Sequence, residues 1–177
     1  GSASKLLKPG LDVDTWYLTE WAGVDPETGK AQWYKTDANG ERVKTFSYGD
    51  ASKNQIAIDR YTPDFFGGFS TNLSWKNLDM SAVFGYSVGG KIYNYARAEY
   101  DSDGTYTDRN QMKLQDGWSR WEKPGDIATH PQGIYNNGTN SNKASSRFLE
   151  DGSYLKLRNL TIGYNLALPE WYISNLR

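Results

Sequence analysis

The sequence predicts an all-β protein of antiparallel, up-and-down strands joined by long loops, and three observations carry that prediction. The first is alternation. From Phe65 to Trp75, and again from Leu78 to Val88, apolar and aromatic residues concentrate on every second position. Side chains on a strand point to opposite faces with period two, so each stretch reads as one strand. The second is composition: 13 Tyr, 7 Trp and 6 Phe with few aliphatics favour aromatic β surfaces over a helical bundle. The third is that the same alternation returns at Ser153–Leu166 after a long irregular interval.

Taken in order, Gly1–Ser2 reads as a cloning scar and is left out of fold reasoning. Residues 3–14 show no period, with a turn at Pro9-Gly10. Thr15–Ala22 and Lys30–Lys35 flank a turn containing Pro26 and Gly29, which predicts an aromatic hairpin. Asp37–Gly40 is another turn, and the polar stretch 41–64 holds one short strand at Gln55–Ile58. Phe65–Trp75 and Leu78–Val88 then form a hairpin with Lys76-Asn77 at its tip. One face carries Leu78, Met80, Ala82, Phe84, Tyr86 and Val88; the other carries Asp79, Ser81, Val83, Gly85 and Ser87. Each strand has about ten residues, the length a tilted strand needs to cross a bilayer. The long stretch 89–152 is rich in turn and loop chemistry, including KPGD and the run NNGTNSNKASS. Within it the spacing of Met112, Leu114, Trp118 and Trp121 predicts a helix over Asp108–Trp121, capped by Asp108. In the last strand Leu160, Ile162, Tyr164 and Leu166 share one face, and Asn159, Thr161, Gly163 and Asn165 the other. Leu168-Pro169 ends it, and 170–177 starts the next turn, as in a piece cut from a longer barrel.

Alternation alone fits a hairpin of a soluble β-sandwich as well as a wall with lipid outside and water inside. Three strands sharing one signature favour the wall: two are joined by a tight turn and the third follows a very long loop. The expected layout is therefore a fragment of a large outer-membrane β-barrel. Loop residues 3–64 carry an aromatic hairpin, 65–88 is a barrel hairpin, 89–152 is a long external loop, and 153–177 is a strand and the start of a periplasmic turn. Excised from lipid, the face of Phe69, Leu73, Trp75, Met80, Phe84, Leu160, Ile162 and Tyr164 should be covered by the chain's own aromatic loops or by a second copy.

Composition excludes several functions. The net charge is −1 with no basic stripe, which argues against nucleic acid. There is no cysteine, hence no thiol chemistry, and no run of eighteen apolar residues for a membrane helix. No signal peptide stands at the start, so the signal of an exported parent would lie upstream. There is no nucleophile elbow and no phosphate loop, so an enzyme is not expected, nor any cofactor.

Candidate ligand-contacting residues are the aromatics Trp16, Tyr17, Trp21, Trp33 and Tyr34, followed by Tyr106, Trp118 and Trp121. Flat rings suit the apolar faces of pyranoses, although packing on one another within an external loop is the favoured reading. Asp101, Asp103 and Asp108 are a weak calcium candidate. Counted from Glu99, carboxylates and Gly104 fall at ligand-loop positions, but position twelve is Asn110 where the bidentate Glu belongs. His130, the only histidine, stands beside Pro131 with no visible partner.

Four stretches also match a known family in order and spacing: WAGVDPETGKAQWY (Trp21–Tyr34), Phe65–Asn94, RWEKPGD (Arg120–Asp126) and Ser145–Leu166. Together they resemble the SusC/RagA-like TonB-dependent outer-membrane transporters. The resemblance implies a barrel of about 22 strands with a plugged lumen. It further implies import of oligosaccharide or peptide nutrients, energised by TonB through parts absent here, with a SusD-like surface lipoprotein capping the barrel. The alternative from another class is a soluble, aromatic-rich β-domain binding glycan, similar to a carbohydrate-binding module.

Overall fold

The computed structural model describes residues 3–167. The expectations for Gly1–Ser2, for the strand end at Leu168–Pro169 and for the turn at 170–177 lie outside those residues. The strands are β1 (Ser4–Leu6), β2 (Thr15–Leu18), β3 (Trp21–Val24), β4 (Ala31–Thr36), β5 (Arg42–Thr45), β6 (Ile56–Arg60), β7 (Phe65–Trp75), β8 (Leu78–Val88), β9 (Lys91–Tyr93), β10 (Leu149–Asp151) and β11 (Tyr154–Tyr164). Two short helices, α1 (Tyr48–Ala51) and α2 (Tyr95–Tyr100), lie between them. The chain folds as two units: a loop unit up to Thr62 with Gly90–Asp151, and a strand unit of Pro63–Gly89 and the described residues from Gly152 on.

The strand unit is one antiparallel sheet in the order β11-β8-β7. Each of its strands has 11 residues. The register of β7 on β8 runs unbroken from Phe65 opposite Val88 to Trp75 opposite Leu78, so Lys76-Asn77 is the whole tip. Lys76 takes a φ of +53°, the left-handed conformation that so tight a turn demands. Cross-strand ladders follow on one face: Phe69, Phe84 and Leu157; Leu73, Met80 and Ile162; Trp75, Leu78 and Tyr164. The rings of Phe69 and Phe84 stack 4.8 Å apart. Such facing pairs contribute on the order of 0.2–1 kcal/mol each.

A bulge at Arg158 shifts the β11 register between Leu157 and Asn159. Strict alternation from Leu160 backwards would turn Leu157 and Leu155 to the polar face. The extra residue reverses the parity, so Leu155 and Leu157 join the apolar ladders opposite Tyr86 and Phe84. Phe69, Leu73, Trp75, Leu160, Ile162 and Tyr164 are exposed, while Met80 and Phe84 are half-buried. Among the described residues of the strand unit nothing covers this face, and the aromatic side chains of the loop unit fill cores of its own.

Those cores are two. Trp16, Leu18, Tyr93, Ala144 and Phe148 make one; Ala31, Trp33 and Ala51, with Trp21 and Tyr48 against them, make the other. They sit on sheets of order β1-β2-β6 and β3-β4-β5, and β9 pairs with β10. The short strand expected at Gln55–Ile58 is β6, displaced by one to two residues.

Two expectations are corrected. Thr15–Ala22 is not one arm of a hairpin: β2 joins β1 and β6, and only β3 pairs with β4. The chain changes sheet at Thr19-Glu20 because Trp16 and Trp33 belong to different cores. The helix over Asp108–Trp121 is absent. Gly117 has a φ of +84°, incompatible with a continuing helix, and Trp118 and Trp121 are anchored at different places rather than along one face. The helix instead forms earlier, as α2, where the Asn94 side chain accepts the Arg97 N–H as an N-cap. The polar run 136–146 is also no exposed tether, because Ser141, Asn142, Ala144 and Ser145 are buried.

Candidate functional site

The aromatic candidates divide between two places. Trp16 is buried, tilted against Tyr93, and its indole N–H donates to the Lys91 carbonyl at 2.7 Å. Trp33 is fully buried edge-on between Trp21 and Tyr48, with ring centres 5.6 and 5.5 Å away. Tyr17, Trp21 and Tyr34 are half-buried. The Arg42 guanidinium lies 3.5 Å from the centre of the Tyr34 ring and pairs with Glu20. The five residues thus do not form one stacking surface. Tyr106, also half-buried, carries the Arg109 guanidinium 4.7 Å from its ring centre.

Trp121 joins two of the recognised motifs. Its indole N–H donates to the Pro26 carbonyl at 2.7 Å, and the Gly125 N–H reaches the same oxygen at 2.9 Å. Gly29 lies flat under the ring; with φ at +66°, a Cβ there would fall 2.3 Å from a Trp121 carbon. Only glycine permits this approach, so the DPETG turn is locked onto the RWEKPGD corner.

The main polar feature is a buried ion network that begins just after α2. Asp101 and Asp103 are both fully buried. Arg147 holds Asp103 with both terminal nitrogens, at 2.5 and 3.1 Å, and reaches Asp101 at 3.4 Å. Arg120 donates to Asp103 at 2.9 Å, and the Arg97 Nε to Asp101 at 3.3 Å. His130 is not in an open loop but fully buried, with its Nε2 2.8 Å from the same Asp101 oxygen. Its Nδ1 lies 2.8 Å from the Thr129 hydroxyl. The ring thus bridges the Asp101 carboxylate and the Thr129 hydroxyl, which itself donates to the Ser119 carbonyl at 3.0 Å. Burial alone would raise the Asp101 carboxyl, but the His130 hydrogen bond, with the charges of Arg147 and Arg97, outweighs it and holds the carboxyl below its ordinary value.

The three aspartates of the calcium candidate are thereby accounted for. Asp101 and Asp103 face guanidinium groups, while Asp108 is exposed and lies against Arg109. Among the described residues no group of three or more His, Cys, Asp or Glu could hold a metal ion. This network was not visible in the sequence, because its partners are scattered from Arg97 to Arg147 with no common spacing.

Above the network lies Trp118, half-buried. The Arg97 guanidinium sits 4.3 Å from its ring centre and the His130 ring 4.9 Å away. Both reach one oxygen of Asp101, so the groups packed on the indole are themselves anchored. Trp118 borders a cleft of about 550 Å³, together with Leu114, Ser119, Arg120, Glu122 and Ile127. A recess of about 220 Å³ beside Arg97, Tyr100 and Met112 is smaller.

No family model matches the chain. Two TonB-dependent receptors of Formosa agariphila do match it. One is 28% identical over 186 residues, covering 97% of this chain and 17% of its own length. The other is 32% identical over 155 residues, covering 86% and 14%. Among solved structures, that of the RagAB peptide transporter is 28% identical with a TM-score of 0.62, covering 85% of this chain and 16% of that one. The RagAB peptide importer in its open-open state matches at 25% identity and a TM-score of 0.57, over 90% and 18%. The chain thus spans about one sixth of the length of the proteins it matches. In sequence and in fold alike, the chain is similar to a segment of these TonB-dependent, SusC/RagA-like receptors, and its place is the outer membrane.

Proposed function

We propose that this segment supplies wall strands and external loops to a TonB-dependent importer of oligosaccharide or peptide nutrients. One observation carries the reading: three paired strands of 11 residues present continuous apolar ladders outward. A soluble glycan-binding domain would bury that face; a barrel in lipid leaves it bare. The strands fix position, and the loop unit reaches the nutrient and a capping surface lipoprotein of the SusD-like kind. TonB acts through regions outside this segment. No residue performs covalent chemistry, and the segment is not an enzyme. Of the aromatic candidates, Tyr17, Trp21, Tyr34 and Trp118 keep surface for a ligand, while Trp16, Trp33 and Trp121 support them from within.

Topology tests this directly, because the segment has no cysteine. In the full-length receptor, Tyr135→Cys on the loop unit should react with a membrane-impermeant maleimide on intact cells, whereas Ile162→Cys should stay unlabelled. Labelling of Ile162→Cys at a comparable rate, or of Tyr135→Cys only after the outer membrane is opened, would refute the assignment.

A further inference from the structure

We infer that the cleft beside Trp118 is a subsite for neutral oligosaccharide; this deepens the importer reading and rests on it. The cleft, at about 550 Å³, falls within the range of small-molecule sites. Its aromatic wall is fixed: Arg97 and His130 pack on the Trp118 indole, and the buried Asp101 carboxylate anchors both. The half-buried ring lines the cleft while Arg97 and His130 do not, and a preorganised flat surface of that kind suits the apolar face of a pyranose. Ile127, 95% exposed on the rim, extends the apolar strip.

The polar groups narrow the ligand. Arg120 is engaged by Asp103 and by the Pro131 carbonyl. One oxygen of Asp126 accepts the backbone N–H groups of Glu122 and Lys123. The Glu122 carboxylate has no partner among the described residues, and Ser119 stands exposed near it. The cleft therefore offers hydrogen-bond acceptors without a free cation, which suits hydroxyl groups and disfavours sulfated or carboxylated sugars. Reading an extended peptide by strand addition needs an open strand edge, and the lining residues, 114–128, lie outside every strand.

The test uses the full-length receptor in detergent, titrated calorimetrically with neutral gluco-, galacto- and manno-oligosaccharides, a sulfated counterpart and a lysine-containing peptide. At least one neutral sugar should bind, Trp118→Ala should weaken it on the order of five-fold, and Trp118→Phe should retain most of the affinity. Glu122→Ala, at an exposed position that leaves packing intact, should weaken it several-fold as well. Neutral-sugar affinity unchanged in both Trp118→Ala and Glu122→Ala, or binding confined to the peptide or the sulfated sugar, overturns the subsite. If TonB-dependent uptake persists in cells alongside such a result, only the subsite fails; if no uptake depends on TonB, the importer reading falls and the subsite with it.

Discussion

The strand unit and the loop unit solve opposite problems. In the first, large apolar side chains crowd one face, while the other carries mostly small or polar residues, Ser70, Asn72 and Ser74 on β7 and Ser81, Gly85 and Ser87 on β8, with Phe66, Val83 and Tyr154 among them. In the second, charges lie inside, with Asp101, Asp103 and Arg147 buried beneath a shell of loops. The difference follows from the surroundings each was selected for. Lipid accepts bare Phe, Leu and Ile but no unpaired backbone group, so continuous ladders suffice. A loop without long strands has few backbone ladders to hold it, and several charge-assisted hydrogen bonds converging on two carboxylates tie distant segments together.

Breaking the comparison on its polar side should have the largest effect. Arg147→Ala leaves Asp101 and Asp103 without their shared guanidinium, a change that typically destabilises by about 3–5 kcal/mol. Limited proteolysis of the full-length receptor should then cut within 101–147, with β7, β8 and β11 still protected. Cleavage that stays at the wild-type rate would mean the network is dispensable. On the apolar side, Leu160→Lys sits mid-strand opposite Ala82 and should cost about 2–4 kcal/mol of barrel stability in lipid. Heat-modifiability on gels would register the loss, and Asn159→Lys on the other face should have little effect. The smallest effect is the pH response. The Asp101 carboxyl lies below its ordinary 3.8 when folded, so its stabilisation is complete above that value and fades as pH falls beneath it. Hydrogen exchange should show the loop unit loosening below about pH 4 before the strand unit does.

Legibility in the sequence divided along the same line. β7, β8 and β11 could be placed, with their pairing and tip, because an environment that differs across a sheet imprints a period of two on each strand by itself. The Arg158 bulge escaped, since one inserted residue leaves no mark except a parity change at Leu155 and Leu157. In the loop unit the period carried no information: Trp118 and Trp121 are three apart, yet one rests on Arg97 and the other on the DPETG turn. Asn94 before Tyr95–Tyr100 is a readable cap signal. The partners of Asp101 could not be read at all, because long-range ion pairs need only closeness in space. For the same reason, the division of the aromatics between two cores was not foreseeable from their residue types.

The pairing of β9 with β10 has a consequence for how such segments diversify. Lys91–Tyr93 meets Leu149–Asp151, and the Asn94 N–H donates to the Phe148 carbonyl at 2.9 Å, so the excursion between them closes on its own hydrogen bonds. The entropy of closing a loop grows only with the logarithm of its length; doubling the insert changes it by roughly 0.6 kcal/mol. Length changes confined to exposed turns of the excursion should therefore leave the register of β8 on β11 unshifted. The clasp thereby separates the length of the excursion from the pairing of the wall strands.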